Sequence, residues 1–359
     1  MKDTALTKKL ISWYEIHQRD LPWRNTSDPY QIWVSEIILQ QTRIDQGRDY
    51  FLRFVKFFPD VFSLANASRD EVMKQWQGLG YYSRANNMHE TAKTLVKEYK
   101  GSFPETTTEL MKLKGIGPYT AAAVASIAFD KPAAVVDGNV IRVLSRLFGI
   151  EKAYDRPEGK QAIHKKADEL IDQNAPGTYN QAIMDFGAMI CVPKNPLCRK
   201  CPFKEYCYAL RNEKIDLFPV PSKPARKKNR YLNYLVLILK TGKEDYTFMK
   251  LRTEKDIWKN LHDFPLLETK RPASFKTLVR NGLTADILGK NSFRYIESHM
   301  PLKHQLTHQT LYASFHVVHI HQTNQYLDRY FKKVKISAIE QLALPRLIDR
   351  FVENFFGLQ

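Results

Sequence analysis

Apolar residues recur at helical spacing through roughly the first 212 positions, and after Tyr231 they gather into strand-like runs. Asp28-Pro29 supplies an N-cap and a first helical position for a helix from Tyr30 to Thr42. Ser68 with Glu71, and Thr106 with Glu109, stand at capping-box spacing. Gly78 and Gly101 read as helix stops. Leu113-Lys114-Gly115-Ile116-Gly117-Pro118-Tyr119-Thr120 reads as a tight hairpin running into a helix. Gly115 and Gly117 are free to take positive φ and to let a backbone approach closely, and Pro118 suits the first helical position. Thr120 to Phe129 is Ala-rich and apolar nearly all round, which predicts a buried helix. Asp137-Gly138-Asn139 begins another helix, which runs to Phe148 and is closed by Gly149.

Phe218-Pro219-Val220-Pro221-Ser222-Lys223-Pro224 cannot continue a helix, and Arg226-Lys227-Lys228-Asn229-Arg230 follows. This basic, Pro-containing stretch, 213–230, suits either a linker lying along a nucleic-acid backbone or a solvated spacer that touches nothing. Beyond it, Tyr234 to Leu239 is a continuous apolar strand, Tyr246 to Leu251 its hairpin partner, and Tyr312 to Ile320 a further strand. Leu347 to Phe356 closes the chain as an amphipathic helix. The expected organisation is an all-α domain over 1–212, the linker over 213–230 and a smaller α+β domain over 231–359. No internal repeat or low-complexity tract interrupts it.

Charge narrows the partner. A net charge of +17 favours a polyanion, nucleic acid before acidic membrane. No window approaches the roughly 18 apolar residues of a membrane span, and the first 21 residues lack an apolar secretory core. The expected setting is a reducing cytoplasm, without a membrane partner. All four cysteines fall between Cys191 and Cys207, a poor use of cysteine for disulfides and a good one for a metal centre.

Cys191, Cys198, Cys201 and Cys207 are spaced Cys-x6-Cys-x2-Cys-x5-Cys, and four thiolates so close in sequence can wrap one compact centre, zinc or [4Fe-4S]. Only one Cys-x-x-Cys pair is present, which favours iron-sulfur, and four protein ligands make the role structural. Glu36 lies on the apolar face of its helix, between Ile32 and Trp33 one turn before and Leu39 one turn after. Desolvation there raises a carboxyl pKa and makes Glu36 a candidate general acid; a glutamate reaching water from the edge of that face is the plain alternative. Asp137 is set differently: a helix cap holds its carboxylate ionised, although a lone Asp before Gly-Asn is often only a turn residue. One carboxyl pushed towards protonation and one held ionised is the division of labour that cleavage of a glycosidic bond requires.

Together these residues resemble the helix-hairpin-helix DNA glycosylase family and, through the hairpin, Asp137 and the cysteine spacing, its iron-sulfur branch, which includes endonuclease III. Leu21-Pro22-Trp23-Arg24, Trp33 to Thr42, Gly78-Leu79-Gly80-Tyr81-Tyr82, Val136-Asp137-Gly138-Asn139-Val140 and Asn180-Gln181-Ala182-Ile183-Met184-Asp185 are similar to signatures of the adenine-excising members of that branch. The resemblance is strong over residues 10–210 and weaker over the C-terminal domain, where it suggests a Nudix-like module.

The resemblance implies base-excision removal of adenine mispaired with 8-oxoguanine, or with guanine, in duplex DNA by a monomer. Glu36 would protonate adenine and help activate water, Asp137 would stabilise or capture the sugar cation, and Asn139 would orient Asp137. Tyr119 stands where lyase-active relatives carry a lysine; a phenol forms no Schiff base, so the expected enzyme is monofunctional. Trp23, Arg24 and Gln181 would line the adenine pocket, Gln41, Thr42 and Tyr81 would lie near 8-oxoguanine, and Gly115 and Gly117 would anchor the backbone. Tyr81 would insert into the stack when the base is flipped. The four cysteines would hold a [4Fe-4S] cluster between 191 and 207. In the C-terminal module, Arg252 to Pro265 resembles the family's Trp-x-x-Leu-x-x-Phe-Pro segment, and His304-Gln305-Leu306-Thr307-His308 its lesion-reading loop. There, Thr307 and His308 keep hydrogen-bonding groups while Leu306 replaces an aromatic residue. A pyrophosphatase box is missing from the sequence, so the module should recognise rather than hydrolyse. His316, His319 and His321 read as sheet residues and not as a metal site. Two other readings are an endonuclease III-like glycosylase-lyase for oxidised pyrimidines, opposed by Tyr119 and the extra domain, and a non-catalytic iron-sulfur DNA-binding protein, opposed by Glu36 and Asp137.

Overall fold

The computed structural model describes residues 3–222, 228–242, 244–289, 292–306 and 308–357. The chain divides into two compact units, one of residues 1–75 and 84–224 and one of residues 76–83 and 225–359.

The first unit is helical. Its longer helices are Asp3–His17, Pro29–Leu39, Ile44–Phe57, Ser83–Tyr99, Pro118–Phe129, Gly138–Phe148, Pro157–Leu170 and Pro176–Met189. The Pro118–Phe129 helix is buried along Thr120 to Ser126, as its Ala-rich composition predicts. It packs in one core with Val140, Val143, Ile183 and Phe186 of the neighbouring helices and with Leu6, Leu10 and Trp13 from the first helix. The Asp28 carboxylate caps its helix by accepting from the Tyr30 N–H at 2.9 Å. That helix stops at Leu39 rather than Thr42, because Gln40 leaves helical geometry and Gln41 turns to φ +59°. The Arg84 guanidinium takes up the freed carbonyls, donating to Ile37 O at 2.7 Å and Gln40 O at 2.6 Å. A cation at this end also complements the helix dipole.

The hairpin divides its two glycines. Gly115 sits at φ +81°, with the Asn87 Cβ 2.6 Å from where a Gly115 Cβ would lie. Gly117 caps the Pro118–Phe129 helix at φ −92°, in extended geometry, and a Cβ there would meet nothing within 4 Å. Only Gly115 therefore takes the left-handed conformation open to both; Gly117 leaves open space instead.

The tail of the first unit is fastened. The Tyr154 N–H donates to Val220 O at 2.9 Å, and Ser222 bonds Asp155 through its N–H and its hydroxyl. At the other end of the linker region, Lys228, Asn229 and Arg230 belong to a strand. Arg230 is held by Asp256 and Glu268 at 2.8 and 2.6 Å, so this arginine does not lie free along a linker. Arg226 and Lys227 lie outside the described residues.

The second unit is a mixed sheet: β1 (Lys228–Lys240), β2 (Asp245–Leu251), β3 (His262–Asp263), β4 (Leu266–Thr269), β5 (Phe293–Gln305), β6 (Gln309–Ile320) and β7 (Lys332–Lys335). β1 lies parallel to β6 and antiparallel to β2 and β4, and β5 pairs antiparallel with β6. The apolar run of β1 is continuous because both its faces are covered. Leu232, Tyr234, Val236 and Ile238 join Leu347, Ile348 and Phe351 of the Arg346–Phe356 helix, while Leu235, Leu237 and Leu239 join Phe275, Leu288 and Leu327. β5 has a mixed polar pattern with few buried residues and gave no strand signal in the sequence. His316 is buried and His319 half-buried on β6, with His321 exposed just beyond it.

Candidate active site

A cleft of about 690 Å³ opens in the helical unit, lined by Trp23, Arg24, Glu36, Gln41, Thr42, Gly115, Gly117, Tyr119, Asp137 and Asn139, among others. Residues from five separate stretches of sequence thus meet around one space. The Pro29–Leu39 helix delivers Glu36, which is only 7% exposed. Tyr119, at the second position of the hairpin-borne helix, donates its hydroxyl to Glu36 Oε2 at 2.6 Å. Burial pushes the Glu36 carboxyl above its ordinary range, against the lowering effect of the Tyr119 hydrogen bond and of Arg24. Burial, then the Glu36 and Asp137 charges, pushes the Tyr119 phenol well up, so it stays protonated and donates.

Asp137 caps the Gly138–Phe148 helix. Its Oδ1 accepts from the Val140 N–H at 2.8 Å and its Oδ2 from Asn139 Nδ2 at 2.8 Å. These bonds lower its pKa, but burial outweighs them and leaves the carboxyl above the ordinary aspartate value. The cap expected to hold Asp137 ionised is therefore opposed by desolvation.

Around Arg24 the structure forms pairings that the motifs did not reveal. Asp185, wholly buried, accepts from Arg24 Nη2 at 2.8 Å and from Arg19 Nη2 at 2.5 Å. Arg24 also donates to the Tyr14 hydroxyl at 3.3 Å, and that hydroxyl donates to Gln181 Oε1 at 3.0 Å. Trp23 and Arg24 line the cleft, whereas Gln181 stands behind it, bonded to Tyr14 rather than facing the space. Leu39, Met184 and Ala188 complete an apolar wall. Helical spacing after Asn180 could have suggested Met184 and Asp185 as neighbours one turn on; nothing in the sequence pointed to Tyr14 or Arg19.

Tyr81 and His308 line a different cavity, of about 610 Å³, in the second unit, together with Trp258, His304 and Leu306. Tyr81 is 54% exposed and held at φ +47°, a conformation that costs a tyrosine free energy. Thr307 lies outside the described residues. The Trp258 ring sits 6.2 Å from that of His304, so an aromatic face is present although position 306 is Leu.

The four cysteines, all half-buried thiols, line one small cavity with Arg146, Ile190 and Leu210. Among the described residues no three metal-ligating side chains close on a single-ion position. Four cysteine sulfurs lining one space are a donor set that fits a metal centre, and both a four-iron cluster and zinc accept four thiolates. The Gly138–Phe148 helix ties this cavity to the cleft. Arg142 donates to Asn139 Oδ1 at 2.8 Å, to Gly187 O at 2.7 Å and to Cys191 O at 2.6 Å. Arg146 donates to Val192 O and Pro193 O and lies 3.7 Å from Cys191 Sγ.

With this geometry in hand, comparison with known proteins is specific. Residues 34–173 match the family described as HhH-GPD superfamily base excision DNA repair protein, and residues 234–354 match a NUDIX domain. Adenine DNA glycosylase of Buchnera aphidicola from Schizaphis graminum is 32% identical over 98% of this chain and 99% of its own length. The mouse adenine DNA glycosylase is 42% identical over 62% of this chain and 45% of its own length. Among solved structures, a thermostable thymine-DNA glycosylase superposes with a TM-score of 0.55 at 30% identity, covering 59% of this chain and 97% of its own. An endonuclease III in a non-covalent DNA complex superposes at 0.51 over 59% of this chain and 98% of its own, at 22% identity, which shows the shared fold. A relative matched from end to end, a base-excision family match within the helical unit and a thymine-DNA glycosylase superposed on it agree: this chain is a DNA glycosylase and belongs to the adenine DNA glycosylase family.

Proposed function

We propose that this protein acts in base excision repair as a monomer, removing adenine mispaired with 8-oxoguanine, or with guanine, from duplex DNA by hydrolysis and without cutting the strand. The observation that carries the reading is the Tyr119 hydroxyl on Glu36 in a cleft shared with Asp137. Among the described residues no lysine lines that cleft. Without an amine the abasic sugar meets no Schiff-base nucleophile, and water completes the reaction.

The adenine, turned out of the stack, enters beside Trp23 and Arg24. Glu36, whose carboxyl is pushed by burial towards its protonated form, gives its proton to the base. The glycosidic bond breaks, its electron pair leaves with adenine, and positive charge builds on the sugar. Asp137, its carboxylate held by the Val140 N–H and Asn139, faces the cation. Glu36, now a carboxylate, takes a proton from the incoming water, and the sugar gains the hydroxyl. One unit supplies both carboxyl groups, so a single chain is sufficient.

Cys191, Cys198, Cys201 and Cys207 would hold a [4Fe-4S] cluster, with zinc the alternative. It would supply four iron–thiolate bonds that cross-link loop 191–207 beside Arg142 and Arg146. Gly115 and Gly117 would carry the phosphate backbone, while Gln41, Thr42, Tyr81, Thr307 and His308 would read the opposite base. We place the domain division within 213–230 and the enzyme in the cytoplasm, with DNA as its partner.

Single-turnover cleavage of an 8-oxoguanine:adenine duplex tests the reading. Wild type should release adenine, leaving strands that break only after alkali, and Glu36→Gln should bind without cleaving. Nicking before alkali would defeat the monofunctional claim; an inactive wild type that still binds would favour a non-catalytic role. Iron in anaerobically purified protein should exceed zinc. Affinity should fall steeply with salt as counterions are released.

A further inference from the structure

Arg24 is held in the cleft wall from two sides. Asp185 accepts from its Nη2 at 2.8 Å, and the Tyr14 hydroxyl accepts from its Nη1 at 3.3 Å, with the guanidinium carbon 5.9 Å from the Tyr14 ring centroid. Asp185 also takes Arg19, so that carboxylate by itself does not fix where Arg24 stands. The hydroxyl is the hydrogen bond that Arg24 does not share with Arg19.

Tyr14 belongs to the Asp3–His17 helix and is only 4% exposed. Its ring packs in one core with Leu10, Trp13 and Phe186. A phenylalanine ring would fill the same space, so packing does not account for the hydroxyl. Burial pushes the phenol above its ordinary range, which keeps its proton in place. A guanidinium only donates, so that proton is directed onward, to Gln181 Oε1 at 3.0 Å. The bonds therefore run one way, from Arg24 to Tyr14 to Gln181, and join three segments distant in sequence. Arg24 Nε is buried and meets no acceptor among the described residues, so the guanidinium is not placed for its own satisfaction.

The position of this charge bears on the acid. Burial, the largest influence, and Asp137 at the start of the Gly138–Phe148 helix raise the Glu36 pKa. Tyr119 from the hairpin-borne helix and Arg24 lower it, and Arg19 lines the same cleft.

We propose that Tyr14 is a positioning residue for excision: its hydroxyl, bridging Arg24 and Gln181, fixes the Arg24 guanidinium in the wall of the cleft that holds Glu36. Tyr14 does not line that cleft and acts through Arg24. The rate measured below rests on the adenine-excising reading; the titration of Glu36 does not.

Tyr14→Phe removes the hydroxyl, keeps the ring and is tested in the full chain by two measurements. Carbon-13 NMR of glutamate-labelled protein follows the Glu36 carboxyl across pH, its signal assigned by loss in Glu36→Gln. Tyr14→Phe should move that titration to higher pH, because the Arg24 charge no longer stands in place to lower it. Single-turnover release from an 8-oxoguanine:adenine duplex should fall by about tenfold or more, with duplex affinity unchanged. In an Arg24→Ala background Tyr14→Phe should change neither readout, since it has nothing left to act through. Leu10→Val loosens the same core with the hydroxyl in place; it should lower the melting temperature and move neither readout. The proposal is overturned if the Glu36 titration does not move in Tyr14→Phe, or if Tyr14→Phe keeps its full effect without Arg24. It is also overturned if an active wild type and Tyr14→Phe release adenine equally fast. A wild type that releases no adenine while the titration shifts as stated defeats the proposed function and supports the placement of Arg24 by Tyr14.

Discussion

The Tyr119 hydroxyl donates to Glu36 Oε2 at 2.6 Å, joining the helix that follows the hairpin to a carboxyl 83 residues earlier in the chain. The bond favours the ionised glutamate and opposes the burial that favours the acid. In Tyr119→Phe the Glu36 pKa should rise further, moving the alkaline limb of the excision profile to higher pH. The rate should fall by about 10- to 100-fold, the equivalent of one hydrogen bond to a charged group, about 1.5–3 kcal/mol. Single-turnover rates measured across pH decide this; an unmoved limb would separate Tyr119 from the acid.

Glu36 also links activity to stability. Folding raises its pKa above the unfolded value of about 4.3, so the folded state binds more protons than the unfolded state above that pH. Stability therefore falls as pH rises from about 4.3 through the raised pKa, and the loss is complete above it. Glu36→Gln removes this ionisation. Its Tm should gain on that of wild type as pH rises through the raised Glu36 pKa and level off against it below about pH 4, while excision falls by about 10²–10⁴-fold. Thermal melts across pH check the sign.

Asn139 holds Asp137 towards its anionic form and is itself held by Arg142. Asn139→Ala should raise the Asp137 pKa and shift the acid limb of the rate profile upward. Arg142→Ala should produce the same shift in part and also loosen the start of the cysteine loop, because Cys191 O loses its donor. Rate profiles together with iron content would distinguish the two variants: Asn139→Ala should retain its iron.

Asp185 accepts two guanidinium groups with no exposure of its own. Asp185→Ala leaves Arg19 and Arg24 facing a buried gap and should destabilise the protein by about 3–5 kcal/mol. Denaturant unfolding measures that cost. Arg24, freed from its clamp, should also lose its place in the cleft wall, and on the proposed function that raises KM for the duplex.

The two hairpin glycines should part company. Gly115→Ala forces a side chain into positive φ and against Asn87, so it should lower stability by about 1–3 kcal/mol and weaken DNA binding. Gly117→Ala meets nothing in the free protein and should melt like wild type; if the hairpin carries phosphate as proposed, the added methyl should reduce duplex affinity. Melting and duplex binding, measured side by side, test the distinction.

Local chemistry was legible because it is written in adjacent residues. The caps at Asp28 and Asp137, the Pro118 helix start, the Gly149 stop and the doubly covered β1 depend on neighbours a few positions apart. The end of the Glu36 helix was misjudged by three residues because Arg84, far along the chain, stabilises the earlier exit. β5 was missed because exposed strand residues carry no apolar alternation, and its partner β6 supplies the order instead.

By itself the sequence determined which residues could act as acid, anion and metal ligand, since residue type and spacing set those options. Only the tertiary structure decided how they act. It brought Glu36 to Tyr119, left Asp137 more desolvated than its cap implies, bonded Gln181 to Tyr14 and, of the two hairpin glycines, gave open space to Gly117. Each of those outcomes depends on packing between segments distant in the chain, and desolvation exists only once that packing has excluded water.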